Sequence, residues 1–120
     1  MKKILLIEDN VMNRDLIKEI LTLCNYQITS TGDGIDALDI LKNESFDLIL
    51  TDIHLPKMDG IEFIHKFRDS KGTAKIVAMT SDLTTKNGET FEEVGFNGYI
   101  QKPFKVFEFR QYIQNVLEES

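Results

Sequence analysis

Four strand-like runs in this sequence end in polar residues that could serve one site. Glu8 and Asp9 follow the apolar run at 4–7, Asp52 follows 47–51, Thr80 and Ser81 follow 75–79, and Lys102 follows 99–101. Carboxylates brought close together repel one another and favour binding a hard cation. Mg2+ suits such a set, because it takes oxygen ligands, keeps waters and shares its charge with a substrate's phosphate. A nearby ammonium and hydroxyl would then contact the remaining phosphoryl oxygens, and in phosphoryl transfer positioning and charge neutralisation supply most of the catalysis. A carboxylate can itself accept the group, forming an aspartyl phosphate. Asp52 is the best nucleophile, being single, central and at the end of the most apolar of the middle runs. Each residue alone has a plainer reading: the acids as helix caps, the threonine as a turn residue, the lysine as a solvated charge. The combination carries the weight.

For these side chains to meet, the chain must deliver strand ends to one edge. Apolar runs alternate with helix-periodic segments five times. Residues 4–7 form the continuous apolar run of a strand buried on both faces. Residues 11–24 then carry Met12, Leu16, Ile20 and Leu23 at helical spacing, with Ile17, Leu21 and Cys24 beside them. A short strand at 26–31 precedes a helix at 34–43 with Ile35, Leu38 and Leu41 on one stripe. A second buried strand at 47–51 leads to a helix at 60–68 with Ile61, Ile64 and Phe67. A third buried strand at 75–79 is followed by an expected helix at 83–94, although 84–88 is poor helix material. A brief strand at 99–101 and a helix at 104–117 with Val106, Phe109, Ile113 and Val116 complete the pattern. Five β-α repeats predict an α/β fold: a parallel sheet with helices on both faces, joined by right-handed crossovers, as one domain over 1–120. Ligands of such sheets bind beyond the carboxyl ends of the strands, where strand order reverses.

Composition narrows the partners. The chain has 120 residues, 42% apolar and 28% charged, with a net charge of −6. That balance argues against a nucleic-acid surface, which needs clustered Lys and Arg. The one cysteine, Cys24, allows no intramolecular disulfide and reads as a small buried hydrophobe, in keeping with a reducing, cytoplasmic location. The run at 4–7 is too short for a signal peptide's apolar region, and no stretch approaches the roughly 18 apolar residues of a membrane span. Gly32-x-Gly34-x-x-Ala37 matches a dinucleotide-binding pattern, but Asp33 and Asp36 within it would repel a pyrophosphate, so a turn and helix start is the better reading. His65 reads as an exposed residue of the third helix. For Phe107 and Tyr112, packing and partner contact both stay open.

Four segments in order carry a family resemblance across essentially the whole chain. They are Ile7-Glu8-Asp9-Asn10, then Asp52-Ile53-His54-Leu55-Pro56-Lys57-Met58-Asp59-Gly60, then Met79-Thr80-Ser81, and Tyr99-Ile100-Gln101-Lys102-Pro103-Phe104. The chain resembles the receiver domain of two-component response regulators, in particular single-domain regulators of the chemotaxis type. The resemblance implies a doubly wound (βα)5 flavodoxin-like fold with strand order 2-1-3-4-5. It implies that Asp52 accepts a phosphoryl group from a sensor histidine kinase or a histidine phosphotransfer protein. Such a chain would be no enzyme beyond catalysing its own phosphorylation and dephosphorylation. Glu8, Asp9, Asp52 and the backbone carbonyl of His54 would hold Mg2+, for which Mn2+ could substitute. Lys102 would pair with the phosphoryl group, ahead of a cis bond to Pro103. Thr80 would move to hydrogen-bond the phosphoryl oxygen and Tyr99 would turn inward behind it. The readout would be the face of the fourth helix, fifth strand and fifth helix, presented to a downstream protein that the sequence does not name. Residues 84–90 lie on that face and are expected to be mobile in the unmodified form.

Two positions need separate comment. The His54 ring would face the reactive site, where it could hinder or orient the attacking water and so tune the phosphate's lifetime in either direction. Ser81 is small enough to leave the site accessible. Two rival functions stand beside the receiver reading. A haloacid-dehalogenase-like phosphatase also uses an Asp nucleophile, Mg2+, a hydroxyl and a Lys, but places an Asp-x-Asp motif after its first strand and its acidic pair late. Here the acidic pair comes first, Asp52-x-His54 lacks the second Asp, and no cap insertion is present. A pseudo-receiver that binds a partner without being phosphorylated is the other rival, although every site residue is present. A standalone regulator and a receiver excised from a longer regulator or hybrid kinase are both open, with the start at Met1 favouring a natural N-terminus.

Overall fold

In the computed structural model, which describes residues 1–70, 72–82 and 88–118, the apolar runs are strands and the periodic segments between them are helices. The order is β1 (Lys3–Ile7), α1 (Val11–Thr22), β2 (Gln27–Thr31), α2 (Gly34–Leu41), β3 (Leu48–Asp52), α3 (Gly60–Asp69), β4 (Lys75–Thr80), α4 (Phe91–Val94), β5 (Gly98–Gln101) and α5 (Val106–Glu118). All four strand pairings are parallel and the sheet order is β2-β1-β3-β4-β5. Strand order therefore reverses between β1 and β3, and the chain leaving those two strands passes to opposite faces.

Side-chain alternation along the strands builds a core on each face. Ile4 and Leu6 of β1 pack with Ile17, Ile20 and Leu21 of α1 and Phe109 and Ile113 of α5. Leu5 and Ile7 pack on the other side with Ala37 of α2, Phe63, Ile64 and Phe67 of α3, and Phe91 and Val94 of α4. Both faces being covered is why β1, β3 and β4 read as unbroken apolar runs. Each fully buried Leu, Ile or Phe contributes about 1.5–3 kcal/mol of transfer free energy.

Helix starts are set by short polar side chains. Asn10, Asp33, Asp59 and Thr90 each accept a hydrogen bond from the backbone N–H three residues on, starting α1, α2, α3 and α4. Asp33 is thus a cap, and the turn-and-helix-start reading of the Gly32–Ala37 pattern holds.

Three expectations need correction. The stripe of α1 that meets the sheet is Ile17, Ile20 and Leu21, whereas Met12, Leu16 and Leu23 are exposed. A helix lying on a sheet buries only one stripe of about 100°, and apolar residues on α1 extend beyond it. Cys24 falls outside the helix, half-buried, because the chain turns through Asn25 at φ 67 after α1 ends at Thr22. The helix read over 83–94 is confined, among the described residues, to Phe91–Val94. Gly88 has φ 73, and Thr90 forms a capping box with Glu93, so the cap fixes the start that apolar spacing had placed earlier. Of the 84–90 stretch expected to be mobile, residues 84–87 lie outside the described residues. No described helix is long and apolar enough to cross a membrane.

The join between β3 and α3 is unusually close. Gly60 N–H donates to Ile53 O at 2.8 Å. A Cβ at residue 60 would lie 2.8 Å from Asp52 O and 2.9 Å from Ile53 Cα, both backbone atoms that side-chain movement would not clear. Gly60→Ala should therefore lower the unfolding free energy by about 1–3 kcal/mol, as overpacking does elsewhere. Urea denaturation of the two proteins checks this, and equal midpoints would show that the backbone absorbs the methyl group.

Candidate functional site

Asp52 is the last residue of β3, beside the point where strand order reverses, and is 8% exposed. Its carboxylate is gripped from two directions. Oδ1 accepts a hydrogen bond from the His54 backbone N–H at 3.1 Å, and Oδ2 pairs with Lys102 Nζ at 2.7 Å. Lys102 reaches that position because it follows β5 directly. Its own N–H donates to Thr80 O at 2.7 Å, and its peptide bond to Pro103 is cis, as the family resemblance implied.

Lys102 Nζ also contacts Glu8 Oε1 at 3.0 Å. Glu8 is 1% exposed and held at every polar group: Oε2 accepts from Asn10 N–H, its N–H donates to Thr31 O, and its carbonyl accepts from Arg14 Nη1. Asp9 follows, exposed. Carboxylate oxygens of Glu8, Asp9 and Asp52 all lie within 4.8 Å of one another. Among the described residues, these three carboxylates stand against one ammonium in contact with them, leaving the set negative. The donors are all hard oxygens with no thiol or imidazole among them, a set that fits Mg2+, Mn2+ or Ca2+ better than Zn2+. Burial works to lower the Lys102 pKa, but hydrogen bonds and charge attraction from Asp52 and Glu8 outweigh it, and the net direction is upward.

Four of the residues singled out in the sequence thus converge: Glu8, Asp9, Asp52 and Lys102. Thr80 and Tyr99 are placed otherwise. Thr80 is fully buried at the end of β4, where its hydroxyl donates to Asp82 O at 2.7 Å and accepts from Asp82 N–H at 3.0 Å. It turns to its own loop. Tyr99 is 46% exposed, its ring 5.5 Å from that of Phe91. His54 is exposed and meets Asp52 through its backbone N–H, while His65 is exposed on α3 as expected. Ser81 is exposed and lines a cleft with Leu16, Lys102, Pro103 and Phe104 that leads to Glu8.

Sequence reading missed the residues that hold these groups in place. Asn10 and Asp59 carried a signal, since each precedes an apolar-periodic segment as a cap does. Arg14 carried none, because a hydrogen bond to a backbone carbonyl leaves no pattern in the partner's sequence.

Comparison with known proteins gives a consistent result. A family model described as the response regulator receiver domain matches residues 4–114. The polar-differentiation response regulator DivK of Brucella abortus is 30% identical over 121 residues, covering 99% of this chain and 98% of that protein. The autoinducer 2 sensor kinase/phosphatase LuxQ of Vibrio parahaemolyticus is 38% identical over 104 residues, which are 86% of this chain and 12% of that much longer protein. Among solved structures, the receiver domain of the sensor histidine kinase PA1611 of Pseudomonas aeruginosa, with a magnesium ion coordinated in its active-site cleft, superposes with a TM-score of 0.87 at 31% identity over 97% of both chains. The chemotaxis response regulator CheY4 of Vibrio cholerae gives 0.87 at 26% identity, over 97% of this chain and 98% of that one.

The raised Lys102 pKa has a testable consequence with a fixed sign. A lysine whose pKa is higher folded than unfolded contributes stability that is fully present below the unfolded value, about 10.4, and is lost as pH rises through the folded value. Lys102→Met should therefore be less stable than wild type by a constant margin between about pH 7 and 9, and the margin should shrink above about pH 10.5. Urea midpoints across that range check it. A margin that grows with alkalinity would contradict the assignment.

Proposed function

The chain belongs to the response regulator receiver domain family of two-component signalling, and from that premise we propose that Asp52 is its phosphoacceptor. One observation supports this most: the Asp52 carboxylate lies 2.7 Å from the Lys102 ammonium and within 4.8 Å of both other acids. The phosphodonor is the phosphohistidine of a sensor histidine kinase or histidine phosphotransfer protein. An Asp52 oxygen attacks phosphorus in line, the P–N bond breaks, and its electron pair returns to the donor's imidazole. The product is an acyl phosphate.

Glu8, Asp9, Asp52 and the His54 carbonyl would hold Mg2+, with Mn2+ able to replace it. When bound, the cation neutralises charge between the carboxylates and the phosphoryl oxygens. Lys102 exchanges its Asp52 contact for a phosphoryl oxygen, and the His54 N–H keeps the acceptor carboxyl oriented. The chemistry ends with the chain's own phosphorylation and dephosphorylation, and the exposed His54 side chain, two residues past the acceptor, tunes the lifetime of the phosphate.

Phosphorylation adds about 1.5–2 negative charges and three strong acceptors. The Thr80 hydroxyl then has a partner it lacks in the unmodified state, and leaves Asp82 for it. A ligand shifts an equilibrium only through such differential contacts. Tyr99 turns inward into the space vacated, changing the α4-β5-α5 face that a downstream protein reads. The order of the acids along the strands, a pair after β1 and a single Asp at the end of β3, disfavours the phosphatase reading.

Incubation with acetyl phosphate and Mg2+, followed by intact mass, tests the proposal. Wild type should gain one phosphoryl group, whereas Asp52→Asn, or wild type with EDTA, should gain none. A gain that survives Asp52→Asn would overturn the assignment, as would steady turnover of small phosphomonoesters.

A further inference from the structure

Arg14 has no part in the chemistry above, yet it reaches the backbone on which two of the acids stand. It lies in the first turn of α1, and its Nη1 donates to the Glu8 carbonyl at 3.1 Å. The guanidinium sits over Gly32, just beyond β2. A Cβ at residue 32 would lie 2.8 Å from Arg14 Nη1 and 4.0 Å from Glu8 O. Parallel pairing of Ile7 with Thr31, continued by the Glu8 N–H to Thr31 O bond at 3.0 Å, brings Gly32 beside the Glu8–Asp9 peptide. A side chain at 32 would occupy the arginine's seat. The glycines of this segment thus do something different from cradling a dinucleotide.

The Glu8 carbonyl and the Asp9 N–H belong to one planar peptide unit. Fixing the carbonyl fixes the plane and with it the place of the Asp9 Cα, so that only rotation about Asp9's own bonds is left to aim its side chain. Glu8 has other anchors: Lys102 and Asn10 hold its carboxylate and Thr31 its N–H. Asp9 has no side-chain hydrogen bond or ion pair among the described residues, and is exposed. Its aim at Glu8 and Asp52 depends on the backbone that carries it.

We propose that Arg14, seated on Gly32, is a positioning residue of the cation site: it orients the Glu8–Asp9 peptide so that the Asp9 carboxylate faces Asp52. This rests on the reading that Glu8, Asp9 and Asp52 bind a divalent cation. Two effects of Arg14 oppose each other. Its positive charge near the acids weakens cation binding, so if charge alone mattered, removing it would tighten binding. Positioning gives the opposite sign, because a misaimed Asp9 contributes less as a ligand. Groups that orient metal ligands typically matter by 10–100-fold in affinity.

The experiment is a Mg2+ titration of the full chain followed by amide NMR, with urea midpoints to establish that each variant is folded. Arg14→Ala should weaken Mg2+ binding about tenfold. Gly32→Ala should weaken it similarly while leaving the charge in place, and the double variant should be no worse than either single one, since both remove the same contact. Arg14→Lys, which keeps the charge and a donor, should recover most of the affinity and guards against Arg14→Ala failing to fold. In the cation-free protein the Asp9 amide should shift in Arg14→Ala while Met79, paired with Asp52 across the sheet, stays in place. Unchanged or tighter Mg2+ binding by Arg14→Ala, or independent additive losses from the two sites, would overturn the proposal. Wild type without saturable binding would instead overturn the cation-site reading beneath it.

Discussion

The Lys102 ammonium, held between Asp52 and Glu8, is the interaction on which the rest of this structure turns. It joins the ends of β1, β3 and β5 through one side chain, with contacts of 2.7 and 3.0 Å. Withdrawing these charges from water is costly, and their mutual attraction offsets that cost only when geometry is good and the remaining hydrogen-bonding positions are filled. The geometry meets that condition. Glu8 has a partner on both oxygens, Asp52 has the His54 N–H on its second oxygen, and Lys102 is anchored by its backbone to Thr80. Such a contact is weak evidence for stability but strong evidence for arrangement: it specifies which side chains meet at the sheet's edge.

The same contact is what a phosphoryl group on Asp52 would act on under the proposed function. Lys102 has two anionic partners, and in the proposed reaction a phosphoryl group on Asp52 would replace one of them with a group of higher charge. Thr80 stands one strand away with its hydroxyl satisfied by Asp82, and Tyr99 lies beyond it against Phe91. At the opposite end of β4 and β5 the structure is tied down. Arg68 donates to Gly72, Ala74, Gly95 and Asn97, and Asn97 pairs with Ile76. Change at the site edge is thereby set against a fixed base.

How much of this was legible in the sequence depended on the kind of interaction. β1, β3 and β4 were readable because burial on both faces writes an unbroken apolar run, and the acids and the lysine at strand ends were readable because a parallel sheet delivers those ends to one edge. The buried face of α1 was not, since Met12, Leu16 and Leu23 extend apolar character past the stripe that meets the sheet. The start of α4 is set by the Thr90 cap, not by apolar spacing. Arg14 escaped notice because it acts on a backbone carbonyl, and Gly32 was read only as part of a turn because it acts through a missing methyl group. The orientations of Thr80 and Tyr99, turned to Asp82 and Phe91, leave no mark in residue type or spacing.

The most direct test of a strand-end ion cluster that phosphorylation rewires is methyl and aromatic NMR of the protein before and after phosphorylation with acetyl phosphate. The Thr80 methyl and Tyr99 ring resonances should shift together in wild type, with the Tyr99 shift lost in Thr80→Ala although that variant is still phosphorylated. Full phosphorylation of Asp52 with both resonances unmoved would contradict the switch.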